Sequence, residues 1–489
     1  MSPPRRRGNA LAQSGGLRTV LPYRMRWLPS GSQTPIILAF ALGLGALAYP
    51  LCAAPSPADQ NWPAWRGPRA SGVAPHGDPP VTWSETDHVK WKVRIPGRGA
   101  ATPIIWENLI FVQTAIPLGK PIEAAPQTPA ADPSAPPANP GPSGPRSGGG
   151  THAAAPKQAY QFVLICLDRQ TGRTLWLRVA REEVPHEGHY PEHGFASHSP
   201  VTDGQRVFAC FGSRGLHCYD FEGNRQWSKD LGRMRPKNWF GEGSSPALLG
   251  QTLVVNWDHE GEDFVAALDA ATGRELWRQP RDEATSWATP LIVQHEGKAQ
   301  VVTSASRKIR SYDLATGNLV WECAGMTTNV IPTPVTADGL VYATSGCRGS
   351  ALLAIRLDRT GDLTGTDAIA WSLNQATPYV PSPLLCGARL YFFSGITAAL
   401  TCCDARTGRV LINAEKLRGL GSVYASPVAA AGRVYLVGRN GAALVLKRSD
   451  RLEVLATNRL DDKFDASPAI AGKELFLRGR ENLYCLAEP

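Results

Sequence analysis

The chain lacks the short motifs that mark most reaction types. Its 489 residues hold no Gly-rich phosphate cradle, no Gly-x-Ser-x-Gly elbow and no C-x-x-C-H haem attachment. P-loop chemistry, hydrolase-type acyl transfer and covalent haem are therefore not indicated. H-E-x-x-H and zinc-finger spacings are missing as well. Residues 1–54 carry no acid, only Arg5, Arg6, Arg7, Arg18, Arg24 and Arg26. With those six set aside the formal charge of +9 falls to +3, too little to indicate nucleic acid or an anionic membrane as a partner.

Long apolar runs are also scarce. Ile36–Tyr49 is short for a membrane span, and it lies between basic residues and the small-residue exit Cys52-Ala53-Ala54-Pro55. That is the anatomy of a secretory signal peptide, so 1–54 reads as a signal peptide or an uncleaved N-terminal anchor. The anchor would be the protein's sole attachment to a membrane. Translation from Met25 would give the leader an ordinary length, and the expected location is the periplasm or cell envelope. Arg5–Arg7 lie far from the apolar run for twin-arginine export, and Leu51 is too bulky for the residue before a lipidated cysteine. Ten cysteines in an exported chain invite disulfides. Setting Cys52 aside leaves nine, however, and Cys166, Cys218, Cys402 and Cys485 share one inward register, so buried free thiols are expected. Cys402-Cys403 lie within one expected strand, where adjacent side chains point to opposite faces.

Repetition is abundant. Ala267–Trp277 reads A-x-D-x-x-T-G-x-x-x-W, and the spacing returns at Asp168–Trp176 and Asp313–Trp321, at Asp404–Ile412 without the Trp, and reduced at Asp220–Trp227. The Asp can accept turn amides, the Gly can take a positive φ, and the Trp can bury against a neighbouring repeat. A second marker is a small or hydroxyl residue before Pro103, Pro200, Pro246, Pro290, Pro334, Pro383, Pro427 and Pro468. By subtraction the intervals from Pro200 onward are 46, 44, 44, 49, 44 and 41. A period in the forties filled with short strands indicates an all-β, eight-bladed propeller. The last repeat is one strand short, and Val89–Val93 is a spare strand that would close the ring.

The domain reading is a leader at 1–54, an aromatic lead-in at 55–82 and a propeller at 83–489. Within the propeller, 117–157 is a disordered insert rich in Pro, Ala, Gly and Ser, and it accounts for the 97 residues between Pro103 and Pro200. If each blade has four strands, the first-to-second and third-to-fourth turns make one repetitive face. The opposite face is irregular and is the expected binding side.

On that irregular face the second-to-third turns bring Arg214, Arg307, Arg348, Arg439 and Arg480, a set able to hold carboxylate or phosphate, although arginine is also simply soluble at a hairpin tip. The connections between blades bring Glu242, Trp287, Asn329, Tyr379, Tyr424 and Asp465. They also bring His186, His189, His193 and His198, weak candidates for a metal because surface histidines bind ions fortuitously. Asp258-His259-Glu260 is a weaker case of the same kind. No catalytic residue is assignable. Trp239, Trp287, Tyr379 and Tyr424 would serve as stacking platforms if the face bound carbohydrate.

The Ala267–Trp277 motif, with its relatives at Asp168, Asp313 and Asp404, resembles the tryptophan-docking repeat of pyrroloquinoline-quinone (PQQ)-type eight-bladed propellers. The resemblance spans roughly 83–489 and implies one of two activities. The BamB-like branch implies a non-enzymatic envelope scaffold with a protein or peptide partner, and it is the preferred reading. The quinoprotein branch implies a PQQ- and calcium-dependent alcohol or sugar dehydrogenase, with the arginines on PQQ carboxylates and Glu242, Asn329 or Asp465 supporting calcium. The calcium pair and catalytic Asp of those enzymes are not recognisable here. A small anionic ligand fits either branch.

Overall fold

The turn that repeats in the sequence closes on itself. Asp269 accepts the Thr272 amide and hydroxyl at 2.9 and 2.7 Å, while Gly273 sits at φ +71°. Asp168 does the same for Thr171, Asp313 for Thr316 and Asp404 for Thr407. The Trp of the following strand then reaches the next repeat. The indole N–H groups of Trp176, Trp227, Trp277 and Trp371 donate to the carbonyls of Phe221, Ala270, Leu314 and Ala405 at 2.8–3.0 Å. The turn Gly of that next repeat lies under the ring. A Cβ on Gly317 would come within 2.6 Å of Trp277, so this position needs Gly for space as well as for φ. Trp321 is the exception, donating to Gln300 Oε1 of its own sheet at 3.2 Å.

The computed structural model describes residues 56–121 and 154–489. The leader at 1–54 and most of the 117–157 insert lie outside the described residues, as does Cys52. The described chain is almost wholly β and forms eight antiparallel blades. Blade 3 shows the pattern, with strands Ala247–Leu249, Thr252–Trp257, Phe264–Asp269 and Glu275–Pro280 in spatial order. The middle two strands are buried on both faces because each blade packs between two others. One cluster, for example, joins Val254, Val265 and Trp277 to Val301, Tyr312 and Leu314 of blade 4. Blade 4 carries a fifth strand, Gly361–Asp362, parallel to its outer Leu319–Cys323. Blade 8 is built from Ala469–Ala471, Glu474–Arg478 and Asn482–Leu486, with Val89–Arg94 paired antiparallel to the last of these.

In blade 1 the strand Leu109–Pro121 runs against Gln158–Asp168, with Pro117 opposite Tyr160 and Pro121 opposite Gln158. Pro117–Pro121 are thus strand, a correction to the insert boundary read from composition. The ladder on Tyr160–Leu164 carries the hairpin up to the first proline, and past a register shift Gln158 pairs with Pro121.

The residue before each marker proline has a shared task. The amide of Thr102 donates to Ser199 Oγ, and Ser199 in turn to Ser245, Thr289, Thr333, Ser382, Ser426 and Ser467, every step at 2.9–3.0 Å. Thr102 Oγ1 donates to the Ser467 carbonyl at 3.1 Å.

The lead-in lines the tunnel. Trp62 bridges to Ile105, Pro63 O accepts from Thr202, and Trp65 Nε1 reaches Ser467 Oγ. Arg66 is buried on the carbonyls of Pro383 and Pro427, and Val73 bridges to Ala429. Five of the eight innermost strands or their leading prolines are touched by this one segment. All nine cysteines among the described residues are unbridged, and eight of them are buried. Among the described residues no helix is long and apolar enough to cross a membrane.

Candidate functional site

On the irregular face each connection between blades folds against nearby second-to-third turns. The connection after blade 1, residues 184–199, is as long as the one after blade 2, longer than the rest, and carries the histidines. It leans over the tunnel mouth in both directions. His186 Nε2 contacts Met234 O at 2.9 Å, and Tyr190 packs on Phe240 beyond blade 2. On the other side Glu192 reaches Arg439 of blade 7 at 2.7 Å.

Arg214 sits under this loop, buried. Its Nη1 and Nη2 grip both oxygens of Glu187 at 2.6 and 2.7 Å, and Glu183 and Glu242 lie at 3.2 and 3.7 Å. The aromatic faces of Phe162 and Phe195 cover the guanidinium. Glu242 accepts the Ser213 amide and hydroxyl at 2.7 and 2.5 Å. Burial raises its carboxyl above the ordinary range, and the neighbouring Glu187 charge adds to that. Ligand atoms of His186, Glu187 and Glu242 lie within 4.8 Å of one another, the spacing of a metal triad. The cation already between the two carboxylates is Arg214, however, and a metal ion would be repelled by it. His189 Nδ1 donates to Tyr190 O at 2.8 Å, and the ring stands edge-on to Phe195. Burial pushes the imidazoles of His193 and His198 down to about 4 and about 3, so both are neutral at physiological pH.

A second knot joins blades 7 and 8. Asp465 takes Arg439 Nε at 2.5 Å through one oxygen and Arg480 at 3.0–3.1 Å through the other. Arg439 also stacks 4.0 Å over Tyr424, whose hydroxyl meets Glu192 at 3.3 Å. The structure thus brings Arg439, Arg480, Tyr424 and Asp465 together with the histidine loop.

The remaining candidates stand apart from that knot. Arg307 is exposed, 3.8 Å from Asp282, and Arg348 is exposed with a positive φ of 53°. Asn329 Nδ2 lies 3.8 Å from Cys347 Sγ. Burial is the first cause that raises the Tyr379 hydroxyl to about 12, and Cys347 is the second. Trp287 Nε1 donates to Gly241 O at 2.7 Å and its ring packs on Phe240. Trp239 is exposed. Asp258, grouped with His259 and Glu260 in the sequence, is paired with the buried Arg281 at 2.6 Å, and His259 caps Glu262 O.

Sequence reasoning read Glu187 and Glu192 only as carboxylates of a metal-binding segment, and missed that they neutralise two of the five arginines, Arg214 and Arg439. It also missed Arg98 and Arg478. Arg478 ends the apolar strand Glu474–Arg478, and a cation inside such a run was the signal available.

The model of the family described as outer membrane protein assembly factor BamB matches residues 135–262 and 261–488, well over half of the chain. The chain belongs to that family. No curated protein matches the sequence. Among solved structures, the quinohemoprotein alcohol dehydrogenase from Comamonas testosteroni superposes with a TM-score of 0.58 at 9% identity, over 88% of this chain and 80% of that one. A europium-containing methanol dehydrogenase gives 0.57 at 9% identity, over 88% and 98%. BamB from Moraxella catarrhalis gives 0.35 at 13%, over 69% and 82%. At these identities what the two dehydrogenases share with this chain is the propeller fold alone.

The quinoprotein likeness raises PQQ and calcium, and the residues present do not fit them. Arg214, Arg439 and Arg480 are already held by protein carboxylates. Glu242, Asn329 and Asp465 are engaged with Ser213, Cys347 and two arginines respectively, in different blades, whereas calcium needs six to eight converging oxygens. The lead-in occupies the inner edges of the tunnel, and the clefts beside Asp465 and beside Glu242 measure about 30 and 10 Å³, against the hundreds that an organic cofactor needs.

Proposed function

We propose that this propeller is an exported cell-envelope scaffold that docks a protein or peptide partner on its irregular face. The observation that carries the reading is the loop at 184–199, pinned to Met234 and Phe240 on one side and to Arg439 on the other. It turns the tunnel mouth into a relief of fixed, mostly paired charges with exposed Arg307, Arg348 and Trp239 at its margin. Such a surface suits a large partner, because salt-bridged side chains held in place lose little freedom on docking. Membership of a family described as an outer membrane protein assembly factor supports the same reading and suggests that the partner belongs to the outer-membrane assembly machinery. The leader at 1–54 would supply export as a signal peptide, or tether the protein as an anchor. The domain division into leader, lead-in at 55–82 and propeller at 83–489 is part of the proposal.

The test is photo-crosslinking in intact cells, with the probe placed at Arg348 or Trp239 on the irregular face and at Gly250 or Gly432 on the repetitive one. Crosslinks into the outer-membrane assembly machinery from the first pair only are expected. Crosslinks confined to the second pair, or dye-linked alcohol or sugar oxidation by the purified protein given PQQ and calcium, would overturn the reading.

A further inference from the structure

Between blades 8 and 1 lies a cleft of about 30 Å³ lined by Arg98, Gly99, Ala100, Asp465, Arg478 and Arg480, with Glu192 and His193 on its far wall. Its charges do not balance. Asp465 and Glu192 are matched by Arg439 and Arg480 in the knot described above. That leaves two guanidinium groups without a carboxylate among the described residues. Arg478 is 2% exposed, and the bonds it makes run from Nη1 to the carbonyls of Ala101 and Gln113 at 3.2 and 2.5 Å. Burial with no countercharge pulls its proton affinity down to about 9. Arg98 is exposed, and its guanidinium has no partner among the described residues.

The backbone points the same way. Gly99 lies against both Ala196 and the guanidinium, since a Cβ there would stand 2.5 Å from Ala196 O and 2.8 Å from Arg478 Nη2. Among the described residues the amides of Gly99 and Ala100 have no acceptor, although the neighbouring Arg98 and Thr102 amides are both bonded. Two uncommitted amides beside a buried guanidinium and an exposed one make a cradle for an anion. Desolvating a guanidinium without an opposite charge is costly, and a bound anion removes that cost. A volume of about 30 Å³ exceeds what one water needs, which suits a single oxyanion group but no larger body.

We infer that this cleft binds one carboxylate or phosphate group, held by Arg478 and Arg98 and by the amides of Gly99 and Ala100. The site stands apart from the docking reading: it needs no protein partner, and a partner could dock without it. The same chemistry is offered by the free C-terminus of a peptide and by a free inorganic anion.

Calorimetric titration of the full chain at low salt tests the inference, with inorganic phosphate in one arm and a short neutral peptide bearing a free C-terminal carboxylate, or its amide, in the other. Saturable one-site binding is expected, weakened at least tenfold by Arg98→Gln and unchanged by Arg307→Gln on the distant margin. Arg98 is exposed and unpaired, so its substitution leaves the fold intact, whereas Arg478→Gln could unfold the chain by freeing two carbonyls. Binding of the free-acid peptide but not its amide makes the ligand a chain end, and binding of phosphate alone makes it a free anion. No saturable binding in either arm, or equal affinity in Arg98→Gln, would overturn the site.

Discussion

The amide of Thr333 donates to the hydroxyl of Ser382 at 2.9 Å, one step of a chain of such bonds that passes from blade to blade around the tunnel. Both residues are buried and both precede a proline, which holds them extended and points the amide at the next blade. The hydroxyl therefore serves the neighbouring blade rather than its own.

Removing one hydroxyl should strand one buried amide. Ser382→Ala is expected to cost about 1–3 kcal/mol, the penalty for an unsatisfied buried donor, and Ser382→Thr much less. Urea unfolding midpoints of the two variants provide the comparison. Equal loss in both would mean that side-chain size, rather than the hydrogen bond, sets the effect.

The turn glycines separate two causes that sequence alone merges. Gly317 and Gly297 have nearly the same φ, +76° and +75°, but only Gly317 lies under an indole. Gly297→Ala is expected to cost about 1 kcal/mol for the left-handed backbone. Gly317→Ala should cost that and more, because Trp277 must move and its bond to Leu314 O with it. Thermal unfolding of the pair reads the difference directly.

The repeat was legible because each part answers to a local demand. The spacing of Asp269, Thr272, Gly273 and Trp277 dictates a turn, a positive φ and a buried ring, so blade number followed from counting. The site was less legible. Arg214, Arg439 and Arg480 occupy the turns that strand order assigned them, yet their partners Glu187, Glu192 and Asp465 come from connections with no repeat to fix their path. Arg214 and Glu187 are 27 residues apart and Arg439 and Glu192 are 247 apart. No local rule connects such pairs. Pro117–Pro121 failed in the other direction, where composition suggested a loop and the partner strand imposed a ladder.

Acid should weaken the fold through its buried imidazoles. His193 and His198 are held down to about 4 and about 3, first by burial and then by nearby imidazole charge. A depressed folded pKa gives stability that is fully present above the unfolded value near 6.5 and is lost as pH falls toward 4. Each tenfold change in proton affinity is worth about 1.4 kcal/mol. Glu242 works in the opposite sense, since its raised pKa favours the fold at low pH and that share is lost as pH rises from 4.5 to about 7. The urea midpoint should therefore fall between pH 6.5 and 4, and His198→Gln should flatten the fall. An unchanged slope in that variant would show that His198 is protonated in the folded protein.

The five arginines of the irregular face should divide by what surrounds them rather than by their shared position in the repeat. Arg214 and Glu187 are both 1% exposed and form a bidentate pair, so Glu187→Gln leaves a guanidinium buried among Phe162 and Phe195 with weaker company. Breaking one side of such a pair costs about 3–5 kcal/mol. Replacing both members, as in Arg214→Met with Glu187→Leu, removes the stranded charge and should recover a good part of the loss. Arg307→Gln touches an exposed contact at 3.8 Å and should change stability by less than about 0.5 kcal/mol. Chemical unfolding of these three variants separates a structural arginine from a surface one. If Arg214→Met/Glu187→Leu is as unstable as Glu187→Gln alone, the pair contributes through packing shape and Glu183 and Glu242 offset the remaining charge.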